Sequence, residues 1–417
     1  MLPLSRLSPY RIEAPALCEK EQELARRAGR LERALHPQAA PMLARAMAGI
    51  HSYYSNQIEG YGTEPIEAER ALAIEQAAAQ GLAAEPSAKP HRHLQQALAG
   101  IHAAYAMREQ IAAGAVIETG AFVRFLHLEL LKRIPEEQRY VEGENGLRAP
   151  VVPGEYRTGL VKVGLHVPPP AAEVPALVDA LDEVVRLNGR VLTIILQLHH
   201  RLAWVHPFYD GNGRVARLFT EAMLLRSPAA GAGLWSLSRG LARNATRYRD
   251  TLALADKESR GSDGRGPLSE TATVRFVDFM LDTALDQVSF MDERLDPDAL
   301  KDRVDQLCIE RAQVMERDPR AAALLKAAMF SGPQERGRVG EIVGLSARRG
   351  QSITQECLAD GLLHSPSERG LLYPKFPMYA LAYLFPSLYP LDDPRREMRD
   401  YLRSGVAALT VGERLVG

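Results

Sequence analysis

The chain has few cysteines, few aromatics and almost no net charge, and each shortage removes a class of protein. Three cysteines occur in 417 residues, Cys18, Cys308 and Cys357. They are scattered, odd in number and form no CxxC pair, so neither a disulfide framework nor a zinc site is implied. Lys and Arg total 51 against 52 Asp and Glu, a formal net charge of -1. A chain so balanced is no general polyanion binder, and any nucleic-acid contact must be local. No apolar run is long enough to cross a bilayer. The opening MLPLSRLSPYRIEAP lacks the apolar core of a secretory signal. The expectation is a reducing, cytoplasmic setting without membrane contact.

What is present is ordinary for a globular protein: 46% hydrophobic and 25% charged residues. The length predicts two or three domains. Helical periodicity dominates. In EKEQELARRAGRLERALH, Leu24, Ala28, Leu31 and Leu35 fall at three- and four-residue spacing. In MLARAMAGIHSYYSNQIEG, Leu43, Met47, Ile50, Tyr54 and Ile58 do the same, and Gly60 and Gly62 stop the helix. AAEPSAKPH (83–91) reads as a linker. Helices resume at RHLQQALAGIHAAYAMREQIAAG and AFVRFLHLELLKRI. Residues 146–170 are rich in Gly and Pro. There Val161, Val163, Leu165 and Val167 alternate with Lys162, Gly164 and His166, which predicts a short strand or hairpin arm. A helix over EVPALVDALDEVVRLNG follows, then VLTIILQLHHRLAWV, apolar almost all round and so a buried central helix. LFTEAMLLR and LSRGLARNATRYRDTLALAD continue the helical pattern, and 259–270 reads as a flexible break. Near the end, RVGEIVGLSARRGQSITQECLADGLL reads helix, turn at Gly344–Ser346, helix, with two short extended pieces after it, a winged helix-turn-helix.

WVHPFYDGNGRVAR, residues 204–217, concentrates the chemistry. Pro207 ends the central helix at or before His206. That places His206 on a loop, where a neutral imidazole can accept a proton. Asp210 offers a carboxylate of the kind that holds Mg²⁺ against substrate phosphates. Gly211-Asn212-Gly213 allows a sharp turn whose N–H groups make an anion site. The next helix is expected to start at about Arg214, so its positive end faces the same spot. Arg214 and Arg217 share a face of that first turn and suit a polyphosphate. Phe208 is expected to point inward as an anchor. A metal reading of His199, His200, His206 and Asp210 stands beside this one. Neighbouring helical positions, however, do not easily face one ion.

HPFYDGNGRVAR resembles the signature HPFx(D/E)GN(G/K)RxxR of the Fic-domain family at every fixed position. GEYRTGLVKVGLHVPPP (154–170) looks like the flap upstream of that signature. LSRGLARNATRYRDTL (237–252) is similar to the helix after it, although Arg247-Tyr248-Arg249 stands where the family often has an acidic residue and two tyrosines. SNQIEG (55–60) matches the inhibitory motif (S/T)xxxE(G/N), and YPKFPMYALAYLFPSLYP resembles the end of members with a C-terminal winged helix.

The resemblance implies a mainly α fold: a Fic helical core with a short β-hairpin flap, an N-terminal helical region and a C-terminal winged helix-turn-helix. Its parts would be 1–110, the N-terminal helical region with motif 55–60; 111–258, the catalytic core with its flap around 154–168; 259–317, a linker with connecting helices; and 318–417, the winged-helix-like domain and tail. The implied reaction moves AMP from ATP, with Mg²⁺, to a Ser, Thr or Tyr hydroxyl of a target protein docked on the flap. His206 would be the base and Asp210 the metal ligand. Gly211, Asn212, Gly213, Arg214 and Arg217 would hold the phosphates, and Asn244 would sit near the nucleoside. Glu59 and Ser55 would belong to an inhibitory helix, with Glu59 on Arg217. Glu59 has a physical argument of its own, since a carboxylate at a helix C-terminus needs a cationic partner. Family members often dimerise, and some also remove AMP. Two further readings remain: another phosphoryl, nucleotidyl or phosphocholine transfer on the same fold, and a DNA-binding regulator or protein contact through 336–374. In that segment Arg348, Arg349, Gln351 and Ser352 stand on the second helix.

Overall fold

Apolar residues recurring at three- and four-residue intervals wind most of this chain into helices. The computed structural model describes residues 8–80, 90–142, 148–260, 263 and 268–405. Most of the expected linker 83–91 and half of the expected break 259–270 lie outside the described residues.

The N-terminal part holds α1 (Pro15–Leu31), α2 (Ala40–Ile58), α3 (Pro65–Ala79), α4 (Arg92–Ala112) and α5 (Thr119–Leu131). The first three each begin with proline in the first turn, where its missing N–H costs nothing. Helix α2 ends at Glu59, and Gly60 (φ +82) turns the chain away. A hairpin follows, β1 (Tyr140–Glu142) with β2 (Arg148–Pro150), in which Val141 faces Ala149. The helix expected over 173–189 forms as two pieces, α6 (Val174–Asp179) and α7 (Asp182–Asn188), broken at Ala180 and Leu181.

Helix α8 (Leu192–Val205) buries every residue except Ala203, as its apolar sequence demands. It packs on α9 (Asn212–Leu225). The helix expected over 237–256 is interrupted at Asn244 (φ -121), giving α10 (Leu237–Arg243) and α11 (Ala245–Ala255). The Asn244 amide donates to the Gly240 carbonyl at 3.0 Å, a side-chain competitor for the backbone ladder. The long α12 (Glu270–Arg294) lies within the stretch expected to connect domains. It buries Phe276, Val277, Met280, Ala284 and Val288 against α1, α10 and α11, so it is part of the core.

The C-terminal part comprises α13 (Pro297–Met315), α14 (Ala321–Lys326), α15 (Val339–Ile342), α16 (Ala347–Ala359), the pair β3 (Leu363–His364) and β4 (Tyr373–Pro374), α17 (Met378–Leu384) and α18 (Pro394–Arg403). The chain turns at Gly344 (φ +67) between α15 and α16, and Ser346 Oγ caps α16 by accepting the Arg349 N–H. Cys308 and Cys357 are buried free thiols, pushed up to about 12 and about 11 by burial, which leaves them unreactive at neutral pH.

Over 161–167, where a short strand or hairpin arm is expected, a narrow hairpin forms. Only one antiparallel bridge forms, Val163 N–H to His166 O at 2.9 Å and the return bond at 3.0 Å. Gly164 (φ +60) and Leu165 make the turn between them. The alternation finds no sheet to cover it, and Leu165 stays 99% exposed. The His166 ring ties this narrow hairpin to the Trp204 carbonyl at the end of α8, 2.8 Å away. No described helix is long and apolar enough to cross a membrane.

Candidate active site

Helix α8 stops because Pro207 cannot follow a helical residue, and His206 takes the strain. It adopts the left-handed region, φ 50 and ψ 62, which costs a non-glycine residue about 1–2 kcal/mol. Arg157, 2% exposed, holds that corner. Its Nε donates to the His206 carbonyl at 2.8 Å, Nη2 to the Pro169 and Val205 carbonyls at 2.5 and 3.4 Å, and Nη1 to Gly159 at 2.9 Å. The Arg157 N–H donates to the Pro207 carbonyl at 2.9 Å. One side chain thus fastens the hairpin region to the histidine loop. Burial and then the Arg157 charge pull the His206 imidazole down to about 4, so it is neutral at pH 7.

The loop closes on itself. The Asn212 carboxamide accepts from Phe208 N–H at 2.9 Å and donates to the Phe208 carbonyl at 2.8 Å. Phe208 is fully buried and stacks on His127, ring centroids 3.8 Å apart. His127 Nδ1 accepts the Gly154 N–H at 2.8 Å, so its proton sits on Nε2, which donates to the Asp210 carbonyl at 3.2 Å. Burial lowers this ring to about 3, which keeps it in that neutral tautomer. Gly211 (φ +80) caps α9, which begins at Asn212, two residues before the expected start. The first-turn N–H groups therefore open toward the loop without intrahelical acceptors. The Asp210 carboxylate stands half exposed at this mouth, 3.5 Å from Arg214 Nη2.

Both arginines are 2% exposed and reach back to the N-terminal helices. Arg214 bonds Gln96 of α4 and lies 5.4 Å from the Tyr61 ring centroid. Its Nε is a buried donor without a hydrogen-bond partner. Arg217 donates from Nε to Ser55 Oγ at 2.9 Å, and from Nη2 to the Ser55 carbonyl at 3.0 Å and Glu59 Oε1 at 2.5 Å. Burial pushes the Glu59 carboxyl up, but the Arg217 and Arg214 charges outweigh it, and Glu59 ends below its usual range. The Glu59 side chain is 35% exposed. Gly213 makes the approach feasible, because a Cβ there would run into the Glu59 carboxylate. Behind Arg217, the Tyr248 hydroxyl lies 2.7 Å from His199 Nε2, and His199 Nδ1 lies 2.8 Å from Thr220 Oγ1.

The structure thus gathers His206, Asp210, Gly211, Asn212, Gly213, Arg214 and Arg217 around one helix end, with Ser55 and Glu59 laid across it. Asn212 braces the loop with its side chain, so only its backbone remains for an anion. Asn244 is exposed and bonded to Gly240, one turn before the buried Tyr248. The metal reading of His199, His200, His206 and Asp210 does not hold. His200 binds Asp256 at 2.9 Å while His199 faces Tyr248, as adjacent helical positions must diverge. No described group of three His, Cys, Asp or Glu could hold a metal.

Sequence reasoning missed Arg157, His127, Gln96 and Tyr61. Arg157 meets the His206 carbonyl across 49 positions, His127 the Asp210 carbonyl across 83 and Gln96 the Arg214 side chain across 118, and no local pattern marks them. Replacing Arg157 with Ala strands four carbonyls, those of Pro169 and Val205 fully buried. The expected loss is about 2–3 kcal/mol, read as a lower Tm, with Arg157→Lys intermediate.

The Fic/DOC family model matches residues 119–224. The chain is 34% identical over 101 residues to protein adenylyltransferase Fic of Aedes aegypti, covering 23% of this chain and 20% of that protein. It is 33% identical over 82 residues to the protein of the same name from Nematostella vectensis, 19% of each. The match spans about a fifth of the length of these curated relatives. A solved Fic family protein from Desulfovibrio desulfuricans G20 shares the fold, with TM-score 0.51 at 20% identity, covering 88% of this chain and 98% of that one. The matched stretch runs from the start of α5, which supplies His127, to the end of α9, which supplies both arginines. Residues 119–224, from α5 to α9, are thus similar to the Fic/DOC family.

Proposed function

We propose that this protein is an autoinhibited protein adenylyltransferase, which transfers AMP from ATP to a Ser, Thr or Tyr hydroxyl of a target protein. The observation that carries the reading is the Glu59–Arg217 pair. It occupies the guanidinium that points across the anion-binding end of α9, and it is held by an element outside the matched domain. The curated relatives, named protein adenylyltransferases, support the same reaction class.

In this reading the first-turn N–H groups of α9 and the Arg214 guanidinium hold the phosphates, where helix dipole and cation act together. The target hydroxyl oxygen attacks the α-phosphorus, and the bond to the bridging oxygen of pyrophosphate breaks. The hydroxyl proton passes to the neutral His206 ring, and pyrophosphate leaves. Arg157 acts only by fixing the His206 backbone. Asp210, a lone half-exposed carboxylate, suits a Mg²⁺ ion that arrives with the phosphates better than a protein-built cage. Such an ion, when bound, neutralises phosphate charge. The target segment would lie along 160–167, where Leu160, Val163, Leu165 and Val167 are exposed. Asn244, whose amide is spent on Gly240, is left out of the nucleotide contacts. Glu59 on Arg217 denies the terminal phosphate its cation and keeps the resting enzyme slow.

ATP labelled at the α-phosphate tests the reading. Label on protein from the α position and none from the γ position is expected, and the reverse would mean phosphorylation. The pH profile is a second check. A folded-state value near 4 for His206 lies below the ordinary histidine range, so the ring stays unprotonated as pH falls from 7.5 to about 5. The rate of a released variant should be flat over that window and decline only toward pH 4. A fall already centred near pH 6.5 would mean that the base is a solvated histidine.

A further inference from the structure

We infer that the segment from α14 to β4 binds duplex DNA, with α16 seated in the major groove. This goes beyond the transfer reaction and rests on other residues. Helices α15 and α16 cross closely, because glycine faces glycine: a Cβ on Gly350 would lie 2.5 Å from the Gly340 nitrogen. The inner face of α16 is buried through Gly350, Ile353, Thr354, Cys357 and Leu358. Its outer face carries Arg348, Gln351 and Gln355, all exposed and three or four apart, so they line one strip. Arg and Gln are the side chains that pair with guanine and adenine edges in the major groove. Thirteen helical residues make a rod of about 20 Å, enough to span that groove.

Charge sorting supports this face. Between 317 and 375 there are nine Lys and Arg against six Asp and Glu, on a chain whose total is -1. Three of those carboxylates turn inward. Asp360, 2% exposed, is taken by Arg311 at 2.6 Å and Arg317 at 3.0 Å. Asp318, also 2% exposed, is taken by Arg320 at 2.9 Å and Arg349 at 3.2 Å. Glu356 accepts the Asp318 N–H at 3.1 Å and is only 18% exposed. The outer strip of α16 therefore presents Arg348, Gln351 and Gln355, with Glu356 beside them held by the Asp318 N–H. The β3–β4 hairpin is braced by Gln334 and Leu372, which exchange bonds of 3.0 and 2.9 Å, and its tip exposes Ser367 and Arg369. Glu368 beside Arg369 keeps that tip neutral, so Arg348 is the leading phosphate or base contact. The affinity expected for arbitrary sequence is at the weak end, with Kd ~10⁻⁴–10⁻⁶ M at physiological salt.

The experiment is fluorescence anisotropy of the full chain with a labelled mixed-sequence duplex of about three helical turns, over a range of salt. Binding that weakens linearly in log Kd against log salt is expected. Arg348→Ala/Gln351→Ala should weaken it about tenfold and make the salt slope shallower by about 1. AMP transfer should be unchanged in that variant, because neither side chain touches the active site. Failure of AMP transfer in both proteins, with DNA binding intact, would refute the catalytic reading and not this one. No anisotropy change at low salt, equal binding by wild type and variant, or equal affinity for single-stranded RNA of the same length would each overturn the proposal. A protein partner would be the surviving occupant of the face.

Discussion

Glu59→Gly should raise incorporation of α-labelled AMP by about tenfold or more. Arg217 is buried and cannot turn to solvent, while Glu59 reaches it from the end of α2 at 2.5 Å. Truncating one partner of a buried, hydrogen-bonded charge pair costs about 2–5 kcal/mol. Glu59 is about a third exposed, so the low end applies, and about 1.4–2.8 kcal/mol corresponds to ten- to hundredfold. A ligand that needs Arg217 free sees its apparent affinity rise by the same factor. The variant should stay folded, because Ser55 still accepts two bonds from Arg217. A Tm within a few degrees of wild type would establish that. Equal labelling in wild type and variant, with both folded and both binding ATP, would remove Glu59 from any inhibitory role.

The larger effect is expected at His206. In the Glu59→Gly background, His206→Ala should lower the rate by about 10²–10⁴, the usual contribution of a positioned general base. Alanine is poorly suited to φ 50, so His206→Asn is the better control, since asparagine tolerates the left-handed region. Both variants should lose activity together, while ATP affinity by calorimetry stays close to the parent, because the phosphate contacts come from α9. An active Asn variant would mean that the ring is not the proton acceptor. Loss of ATP binding in the Asn variant would mean that His206 supports the loop more than the chemistry.

Much of the fold was legible because helix and burial follow from spacing. The all-round apolar run at 192–205 could only be a buried helix, and its proline-bounded end could only place His206 on a loop. Glycine, asparagine and the two arginines then follow at fixed intervals, so the helix end with its outward N–H groups is a local property of residues 206–217. The short bridge at 163–166 was less legible. Alternation signals a strand only where a neighbour supplies the other half of the ladder, and none comes to 161–167. The break at Asn244 was hidden for a similar reason: its side chain takes a backbone carbonyl, a choice that periodicity does not record.

What the sequence by itself determined, then, is the reactive stretch, its helix end and the presence of a carboxylate at the close of α2. What only the tertiary structure decided is who meets whom. The 158 positions between Glu59 and Arg217 vanish when α2 packs beside α9. Arg157 and His127 become supports of the histidine loop only through carbonyls and rings brought from other elements. Asp318 and Asp360 of the C-terminal part are turned inward onto arginines, while Arg348, Gln351 and Gln355 of α16 stay exposed. Spacing governs contacts within one or two helical turns, whereas contacts across the core depend on how whole helices settle against each other to bury their apolar faces.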